Sequence, residues 1–430
     1  MSKFLLILSL LCSLSICKNF GQNTRLDSLD GVLNALHEKA MFNGVVLVAK
    51  DGKSVYKKAF GISNHMTKEV LTTNSVFNLA SISKQFVAML IMIQKEQKKL
   101  NFDDLVQKHL PEFPYSNITI RQLLTHTSGL PEYFDIALKY NNTLDTLDNY
   151  KTLQLLIDLK PKLNFEPGEK WEYCNTAYIL LASILEKNTG MPFEGILKKE
   201  ITEPLGLKNT YAFYYHMKDP TPQSKNRVMG FERKNGENQL NDLMRFDGVV
   251  GDGNIYSSAE DLLIWANSLH KLVKPETLEE AYTPVKLNDG TNYNYGFGWF
   301  VNSKKLSHTG GWVGFLNNFE RNLVDNSVVI SLSNSTNFTA RKYIDAVLNG
   351  RKMDLPKTEL ITNVKLIDGT GNSARNLSVR ILGKNIWEIG QLEPFKNETV
   401  IDGKGKVLAP GFIDSHSHHY GGLEKTPEAI

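Results

Sequence analysis

Four serines in this 430-residue chain are followed three positions later by a lysine, a spacing that can bring a hydroxyl close to an amine. The pairs are Ser15/Lys18, Ser54/Lys57, Ser81/Lys84 and Ser268/Lys271. A serine becomes nucleophilic when a nearby base takes its proton, and a lysine can be that base when burial and a second cation lower its pKa. The spacing therefore offers four candidates for acyl transfer through a covalent intermediate.

The predicted secondary structure separates these four pairs. Only Ser81/Lys84 opens a predicted helix, residues 81–99, in which positions i and i+3 share a face. The first pair falls in the N-terminal leader, the second in a predicted strand and the fourth at the end of a helical pattern. A helix N-terminus also offers free N–H groups to an oxyanion. Ser81 is the predicted nucleophile; the alternative is a helix cap followed by a solvated lysine.

A tyrosine and an asparagine two positions apart form the second candidate motif. Tyr173 and Asn175 follow Pro167-Gly168-Glu169 and lead into a predicted helix that begins near Thr176. A phenol between cationic neighbours can relay protons, and a short amide can bind a substrate amide or carbonyl. Taken alone, the motif is also compatible with a turn that packs an aromatic ring.

The third candidate motif is Ser307-His308-Thr309-Gly310-Gly311, at a predicted strand edge. Such an edge offers backbone N–H groups and a hydroxyl to an extended acyl substrate. His308 has two candidate roles, binding a substrate carboxylate or tuning the site near neutral pH. The alternative is an exposed turn with a histidine that takes no part in chemistry.

The elements that must position these motifs predict an α+β fold. The stretch from Gly44 to Gly61 reads as a hairpin around Asp51-Gly52, helical patterns fill residues 150–188, and residues 295–335 read as two or three strands. The run from 86 to 93 is apolar nearly all round, which indicates a buried helix. Strands at both ends with helices between them predict a sheet built from the N- and C-terminal parts.

Taken in order, the three motifs resemble the serine β-lactamase and penicillin-binding-protein family. The closest branch holds class C β-lactamases, D,D-carboxypeptidases and related esterases. Other matching stretches are ITIRQLLTHTSGLPEY at 118–133, FEPGEKWEYCNTAYILLASILE at 165–186, GDGNIYSSAEDL at 251–262 and YGFGWF at 295–300. The resemblance covers about residues 28–350. It implies a β-lactamase-like fold, an antiparallel sheet flanked by helices with a helical subdomain.

The resemblance also implies roles. Ser81 would form the acyl-enzyme, Lys84 and Tyr173 would share the base and acid roles, and Asn175 would bind the amide side of the substrate. The strand edge would comprise His308, Thr309 and Gly310, and the oxyanion hole the N–H groups of Ser81 and Gly311. Histidine at 308 replaces the lysine of most β-lactamases, which favours peptidase-like or esterase-like activity. His126, in THTSGL, and Cys174 are interpreted as structural.

The N-terminus has the pattern of a signal peptide. Lys3 precedes an apolar run from Phe4 to Ile16, and cleavage is expected near Gly21. A secreted or periplasmic protein is therefore predicted, with lipid anchoring through Cys17 as the less favoured alternative. Without the two leader lysines the net charge falls from +3 to +1, which gives no indication of a nucleic-acid partner. No later segment is apolar enough to span a membrane.

From Glu359 onward the chain changes to short alternating strands with glycine turns. VKLIDGTGN, VIDGKGKVLAPGFID and the pair His416/His418 resemble the start of an amidohydrolase of the N-acyl-D-amino-acid deacylase type. Alternate strand residues point the same way, so the two histidines could hold one ion. Only eleven residues follow His419, without His, Cys or Asp. The segment is therefore interpreted as an incomplete barrel without a metal site of its own.

The predicted organisation is a signal peptide at 1–21, a hydrolase domain at 22–352 and a truncated amidohydrolase-like β-sandwich segment at 359–430. The predicted function is an acyl-serine hydrolase of peptides, esters or amides, including peptidoglycan-derived and D-amino-acid-containing ones, with no cofactor or metal. The alternatives are a β-lactamase, a sensor that is acylated by β-lactams or peptidoglycan without turnover and, less favoured, a metal-dependent amidohydrolase. Whether the C-terminal segment folds is left open.

Overall fold

The computed structural model describes residues 24–140, 146–214 and 226–411. The predicted leader and the His416/His418 pair lie outside the described residues. The described chain forms two compact units: one runs to Glu232 and resumes at Gln239–Met353, and the other comprises Arg233–Asn238 and the residues from Asp354.

A six-stranded antiparallel sheet is the framework of the first unit. Its strands are β1 (Gly44–Lys50), β2 (Lys53–Phe60), β3 (Phe300–Asn302), β4 (Lys305–Trp312), β5 (Phe315–Asn322) and β6 (Ser327–Ser333). The order across the sheet is β3-β4-β5-β6-β1-β2, so the N-terminal hairpin joins the C-terminal strands. β1 is buried on both faces, which explains its continuous apolar run GVVLVAK. The predicted hairpin and the predicted α+β class are confirmed.

Helices surround this sheet. They are α1 (residues 24–38), α2 (Lys84–Glu96), α3 (Ile120–Leu124), α4 (Tyr133–Tyr140), α5 (Asn149–Leu159), α6 (Asn175–Thr189), α7 (Phe193–Leu197), α8 (Glu203–Leu205), α9 (Ala259–Ser268), α10 (Pro275–Ala281) and α11 (Arg341–Leu348). Within the described ranges, no helix has the length and apolarity to cross a bilayer.

Short strand pairs complete the first unit. They are Ile62–Asn64 with Glu69–Val70, Phe77–Asn78 and Tyr211–Ala212 on either side of Ile255–Ser257, Val285–Lys286 with Asn292–Tyr293, and Phe231–Lys234 with Glu237–Leu240, whose tip belongs to the second unit.

The helix behind the first candidate motif is shorter than predicted. Residues Ala80–Ser83 form a 3₁₀ turn, and the α-helix begins at Lys84 and ends at Glu96. Every residue of α2 up to Gln94 is buried, which confirms the prediction of a core helix. Ser81 therefore lies in the tight turn that leads into α2 rather than at its first position.

Four strands, not two or three, occupy the region between residues 295 and 335. The sequence YGFGWFVN at the start of this predicted strand region forms a strand only over Phe300–Asn302. Gly298 adopts φ +76°, which is incompatible with an extended strand, and a Cβ on Gly296 would lie 2.1 Å from the carbonyl oxygen of Ala281. Close packing and a left-handed backbone therefore interrupt a sequence that has strand-like composition.

The second unit contains a five-stranded sheet. Its strands are β7 (Thr358–Leu366), β8 (Arg375–Leu382), β9 (Asn385–Gly390), β10 (Thr399–Asp402) and β11 (Val407–Leu408). β7 pairs antiparallel with β8 and parallel with β10 and β11. The sequence left open whether the C-terminal segment folds, and its described part is folded. The resemblance of this segment to an amidohydrolase β-sandwich stays a prediction.

A buried ion network lies inside this second unit. Arg380 is fully buried; its Nε and Nη2 atoms donate to the Glu398 carboxylate at 2.8 and 3.0 Å, and Nη1 donates to Glu388. The guanidinium also lies 3.6 Å from the ring centroid of Phe395. Burial raises the pKa of Glu398, but the hydrogen bonds from Arg380, Thr358 and the Phe395 backbone, together with the charge of Arg380, outweigh burial and lower the net pKa. Arg233 also donates to Glu388 through Nε, so two arginines neutralise the two buried carboxylates.

Replacing Arg380 by methionine is expected to destabilise the second unit by about 3–5 kcal/mol, because buried Glu398 loses its counter-charge and Glu388 keeps only Arg233. Hydrogen-exchange mass spectrometry of the full chain would report this as faster exchange in β8 and β9. Arg375→Met is the matched control, since Arg375 is half-exposed in its pair with Asp368 and is expected to contribute about 0–1 kcal/mol. Unchanged exchange in Arg380→Met would contradict a stabilising role of the network.

Candidate active site

The turn that carries Ser81 is held on both sides. The Ala80 N–H donates to Asn78 Oδ1 at 2.8 Å, and Ser83 Oγ accepts from the Ile255 N–H at 3.1 Å. Ala80 adopts φ +47°, the left-handed region that alanine rarely occupies. A strained residue directly before Ser81, fixed by its neighbours, is typical of a functional turn.

Lys84 lies under Ser81 with its ammonium group fully buried. Its Nζ atom is 3.2 Å from Ser81 Oγ, 2.8 Å from Asn175 Oδ1 and 2.7 Å from the carbonyl oxygen of Asp252. Burial lowers the pKa of Lys84 to about 8, although the charges of Asp252 and Glu132 act in the opposite direction. The amine can therefore be neutral near physiological pH, as a proton acceptor must be.

Two carboxylates behind Lys84 were not singled out from the sequence. Glu132 accepts from the backbone N–H and the side-chain amide of Asn175, each at 3.0 Å, and so orients the asparagine toward Lys84. Asp252 accepts from the Tyr133 hydroxyl at 3.2 Å. Burial raises the pKa of both acids. Both acids lie in stretches that carried the family resemblance, GLPEY and GDGNIY. These stretches therefore contained site residues that the three candidate motifs did not include.

Tyr173 is brought to the same place. Its ring centroid lies 4.9 Å from Lys84 Nζ, and its hydroxyl is buried without a hydrogen-bond partner among the described residues. Burial raises the pKa of Tyr173 well above its usual range, and the nearby Ser81 hydroxyl acts in the opposite direction. A protonated phenol with an unused hydrogen bond therefore lies beside Ser81 and Lys84.

The third motif lies on β4, beside the turn that carries Ser81. Residues 305–307 of β4 pair with β3, whereas 308–312 extend past it and leave that edge open. A Cβ on Gly310 would lie 2.0 Å from the carbonyl oxygen of Leu79, so only glycine permits this approach. Gly311 lines the same cavity as Ser81. The strand edge predicted for the motif is thus present next to Ser81.

Thr309 is the exception among the predicted residues. Alternate residues of a strand face opposite sides, and His308 and Gly310 are buried toward Ser81 while Thr309 is exposed. Its side chain lines a separate cavity, together with Ser307 and Asn318. Its backbone lies on the edge while its side chain faces away from Ser81, so the part of Thr309 in substrate binding stays a prediction.

A chain of hydrogen bonds determines the protonation of His308. Its Nδ1 atom lies 2.6 Å from the Thr309 carbonyl, which only accepts, so Nδ1 carries the proton. Nε2 then accepts from the Tyr295 hydroxyl at 3.1 Å. His126 Nδ1 accepts from the Cys174 N–H, so its Nε2 donates to the Tyr295 oxygen at 3.2 Å. Tyr295 therefore couples the two histidines.

His308 is consequently neutral and has no free donor. Burial, followed by the charge of Lys84, lowers its pKa to about 3. Of the two roles left open from the sequence, carboxylate binding and titration near neutral pH, neither fits this geometry. His126 is buried and adopts the structural role that was predicted for it. Tyr295 was not singled out, although its stretch YGFGWF was one of those that carried the family resemblance.

A cavity of about 220 Å³ opens onto Ser81. Its lining includes Tyr173, Asn175 and Gly311. Aromatic side chains and two acids complete this part of the wall: Tyr133, Phe134, Phe246, Trp312, Asp247 and Asp252. Cys174 lies behind it with its thiol donating to the Leu130 carbonyl, and burial raises the pKa of that thiol. In the described part of the chain, no group of three or more His, Cys, Asp or Glu is arranged to hold a metal ion.

Comparison with known proteins agrees with this fold and site. The family model described as Beta-lactamase matches residues 29–350. Penicillin-binding protein 4* of Bacillus subtilis is 33% identical over 375 residues, covering 81% of this chain and 81% of that protein. A D-aminopeptidase of Brucella anthropi is 26% identical, covering 62% of this chain and 51% of that enzyme. Among solved structures, the octameric penicillin-binding protein homologue from Pyrococcus abyssi superposes with a TM-score of 0.63 at 27% identity, covering 76% of this chain and 78% of that one.

The chain therefore belongs to the Beta-lactamase family, and it is a serine hydrolase of the β-lactamase and penicillin-binding-protein type. The predicted family and the predicted β-lactamase-like fold are confirmed.

Replacing Tyr295 by phenylalanine is expected to lower kcat/KM for an ester substrate by between about tenfold and a hundredfold, because His308 and the neighbouring strand edge lose their anchor. The free energy of unfolding is expected to fall by about 1–3 kcal/mol, since two buried imidazole nitrogens lose a partner. Tyr293→Phe, at an exposed ring on Trp171, is the control. Wild-type kinetics in Tyr295→Phe would show that the coupling has no positioning role.

Proposed function

We propose that the protein hydrolyses peptides, amides or esters through an acyl-enzyme on Ser81. The observation that carries the proposal is the contact between Ser81 Oγ and the buried Lys84 amine, which Asn175 and the Asp252 carbonyl hold in place. In the proposed acylation, Ser81 Oγ attacks the carbonyl carbon and Lys84 takes the hydroxyl proton. Tyr173 then delivers its proton to the leaving nitrogen or oxygen and takes the serine proton from Lys84, so that both residues regain their starting forms.

The N–H groups of Ser81 and Gly311 are proposed to stabilise the oxyanion, because both residues line the cavity in which the carbonyl must lie. In the second half-reaction, water attacks the ester and Lys84 or Tyr173 takes its proton. The acid is released and Ser81 regains its hydrogen. His308 is proposed to shape the strand edge through its links to Thr309 and Tyr295 rather than to donate or accept protons in the reaction.

Peptidase-like or esterase-like turnover is the preferred form of this function. Neutral His308 provides no cation for the carboxylate that β-lactams carry, which argues against efficient β-lactam turnover. The relatives named as a penicillin-binding protein and a D-aminopeptidase support a peptide-type substrate, including one with D-residues.

Intact-mass spectrometry after incubation with a fluorophosphonate, a β-lactam and a D-Ala-D-Ala peptide tests the proposal. We expect a stoichiometric fluorophosphonate adduct on the peptide that contains Ser81 and steady release of product from an ester. A β-lactam adduct that persists without turnover of any substrate would instead support the sensor alternative. The absence of an adduct on Ser81 with every probe would refute the proposed nucleophile.

Action outside the cytoplasm is part of the proposal. It depends on Lys3 and the apolar run from Phe4 to Ile16, which lie outside the described residues. Protein recovered outside the cytoplasm is expected to begin near Gln22. A lipid-modified N-terminus at Cys17 would instead support the anchored alternative.

A further inference from the structure

We propose that the protein has a second ligand site, for an anionic sugar-sized molecule, in the groove that receives the Thr309 side chain. The groove lies on the face of the six-stranded sheet opposite to the one that His308 and Gly310 turn toward Ser81. A phosphate or carboxylate group of the ligand would bind at Arg341 and the first turn of α11, and its hydroxyl groups would contact β4 and β5. The inference does not depend on the proposed acyl-enzyme.

The size and the polar lining of the groove are the first support. Its volume is about 1260 Å³. This is more than the ~300–1,000 Å³ that is typical of small-molecule pockets, so the groove has room for a ligand larger than an ion. Thr309 and Asn318 are direct neighbours across the β4–β5 pair and line the groove from the same face. The other short polar side chains along these two strands are Ser307 and Asn322. Hydroxyl and amide groups can both donate to and accept from ligand hydroxyls.

The side chain of Asn318 is the second support. It is 6% exposed, and its Oδ1 atom is buried without a hydrogen-bond partner among the described residues. Asn318 also lines a small cavity of about 40 Å³ together with Thr339 and Arg341, so the amide lies between the sheet and the start of α11. Because none of these residues fixes the amide by a hydrogen bond, either its oxygen or its NH2 group can face a ligand. A bound ligand would supply the missing partner.

The balance of charge around the groove is the third support. Each of its three acids forms an ion pair; the pairs are Glu320 with Lys305, Asp325 with Lys50, and Asp345 with Arg351. Of the other described cations in the lining, Arg25 donates to the Leu348 carbonyl at 3.3 Å and Lys342 lies over the Tyr343 ring. Arg341 is exposed, and its guanidinium has no partner among the described residues. The groove therefore presents uncompensated positive charge, which favours an anion.

The first turn of α11 is the fourth support. The helix begins after Ala340 without a side-chain cap, and its first turn contains two cations, Arg341 and Lys342, and no acid. Cations at the positive N-terminal end of a helix oppose the helix dipole, whereas an anion there is stabilised by the dipole and by free N–H groups. An anion bound at Arg341 would therefore offset an unfavourable arrangement of charge and cap the helix.

Isothermal titration calorimetry of the full chain tests the inference with glucose 6-phosphate, glucuronate, inorganic phosphate and glucose. At about 0.15 M salt, exposed charges more than ~8 Å apart are largely screened, which suppresses nonspecific attraction. We expect the two anionic sugars to bind at least about tenfold more tightly than glucose, which corresponds to about 1.4 kcal/mol. The tighter of the two identifies the preferred acidic group. Inorganic phosphate is expected to bind more weakly, because it lacks the hydroxyls.

Arg341→Gln is expected to weaken the binding of the anionic sugar at least about tenfold, and Asn318→Leu is expected to weaken it as well. Lys304→Gln is the matched control, because it removes an exposed cation from the turn between β3 and β4, outside the groove. It is expected to bind like the wild type. Hydrogen-exchange mass spectrometry of the wild type should show slower exchange in α11 and β5 when the ligand is bound.

The inference is overturned if neither anionic sugar binds up to about 10 mM, or if inorganic phosphate binds as tightly as glucose 6-phosphate. Equal weakening in Lys304→Gln and Arg341→Gln would also overturn it, since the attraction would then be nonspecific. Loss of binding in protein labelled at Ser81 by fluorophosphonate would place the ligand in the other cavity and contradict a second site. The exchange and labelling results on the wild type decide the matter even if Arg341→Gln fails to fold.

Discussion

Replacing Ser81 by alanine is expected to remove all covalent labelling by fluorophosphonate and to lower kcat/KM for ester hydrolysis at least about 10,000-fold. The reason is that no second hydroxyl of the cavity lies within reach of the Lys84 amine among the described residues; the other acceptors of Nζ are an amide oxygen and a carbonyl. The fold is expected to persist, because Ser81 is partly exposed and donates no hydrogen bond on which the turn depends. Labelling stoichiometry and steady-state kinetics measure the effect.

The chain provides its own matched control for this experiment. Ser54 is also followed three residues later by a lysine, but it is exposed on β2 and Lys57 forms an ion pair with Glu260. Ser54→Ala is expected to retain wild-type labelling and turnover. Labelling that survives in Ser81→Ala, or disappears in Ser54→Ala, would show that Ser81 had been wrongly chosen as the nucleophile among the Ser-x-x-Lys serines.

Replacing Lys84 by methionine is expected to lower kcat/KM by about 100- to 10,000-fold, the range that a general base supplies. The wild-type profile gives the sharper readout. Because burial lowers the pKa of Lys84 to about 8, the neutral, proton-accepting form increases as the pH rises through that value. The wild-type kcat/KM should therefore rise with pH up to about 8 and then level off, whereas Lys84→Met should lose this limb.

Lys57→Met controls for the loss of a cation at an exposed site on β2. It is expected to keep both the rate and the pH profile of the wild type. Circular dichroism and thermal unfolding of Lys84→Met check that Asn175 and the Asp252 carbonyl, which lose their donor, have not collapsed the site. An unchanged alkaline limb in a folded Lys84→Met protein would show that another group takes the serine proton.

Local patterns were sufficient to predict the N-terminal hairpin and the buried helix, and they made Ser81–Lys84 the best placed of four Ser-x-x-Lys pairs; its assignment as the catalytic pair also needed the order of the three motifs. These features depend on residues close in sequence, where spacing and periodicity determine geometry. The positions of Tyr173 and His308 relative to Ser81 are not local, and their prediction depended on the family resemblance. The same resemblance placed Thr309 in the strand edge, and strand alternation turns its side chain to the opposite side from that of His308.

The contacts that sequence reasoning missed join distant residues. Lys84 meets Asp252 across 168 positions, and Tyr295 bridges histidines at 126 and 308. The periodicity of the sequence does not encode such long-range contacts, because they form only when α2, α6 and β4 pack around one cavity. The strand expected over residues 295–302 failed for a related reason: Gly296 is required by a close approach to the helix that ends at Ala281, and Gly298 by its left-handed backbone beside Lys84.

The left-handed turn before the nucleophile has a consequence for engineering. At Ala80, φ is +47°, a conformation that costs an L-residue about 1–2 kcal/mol and costs glycine almost nothing. Ala80→Gly would therefore increase heat resistance while it lets the neighbouring hydroxyl sample more orientations. Selection of variants for thermostability alone would favour glycine here at the expense of turnover, so this position is one where the two goals compete.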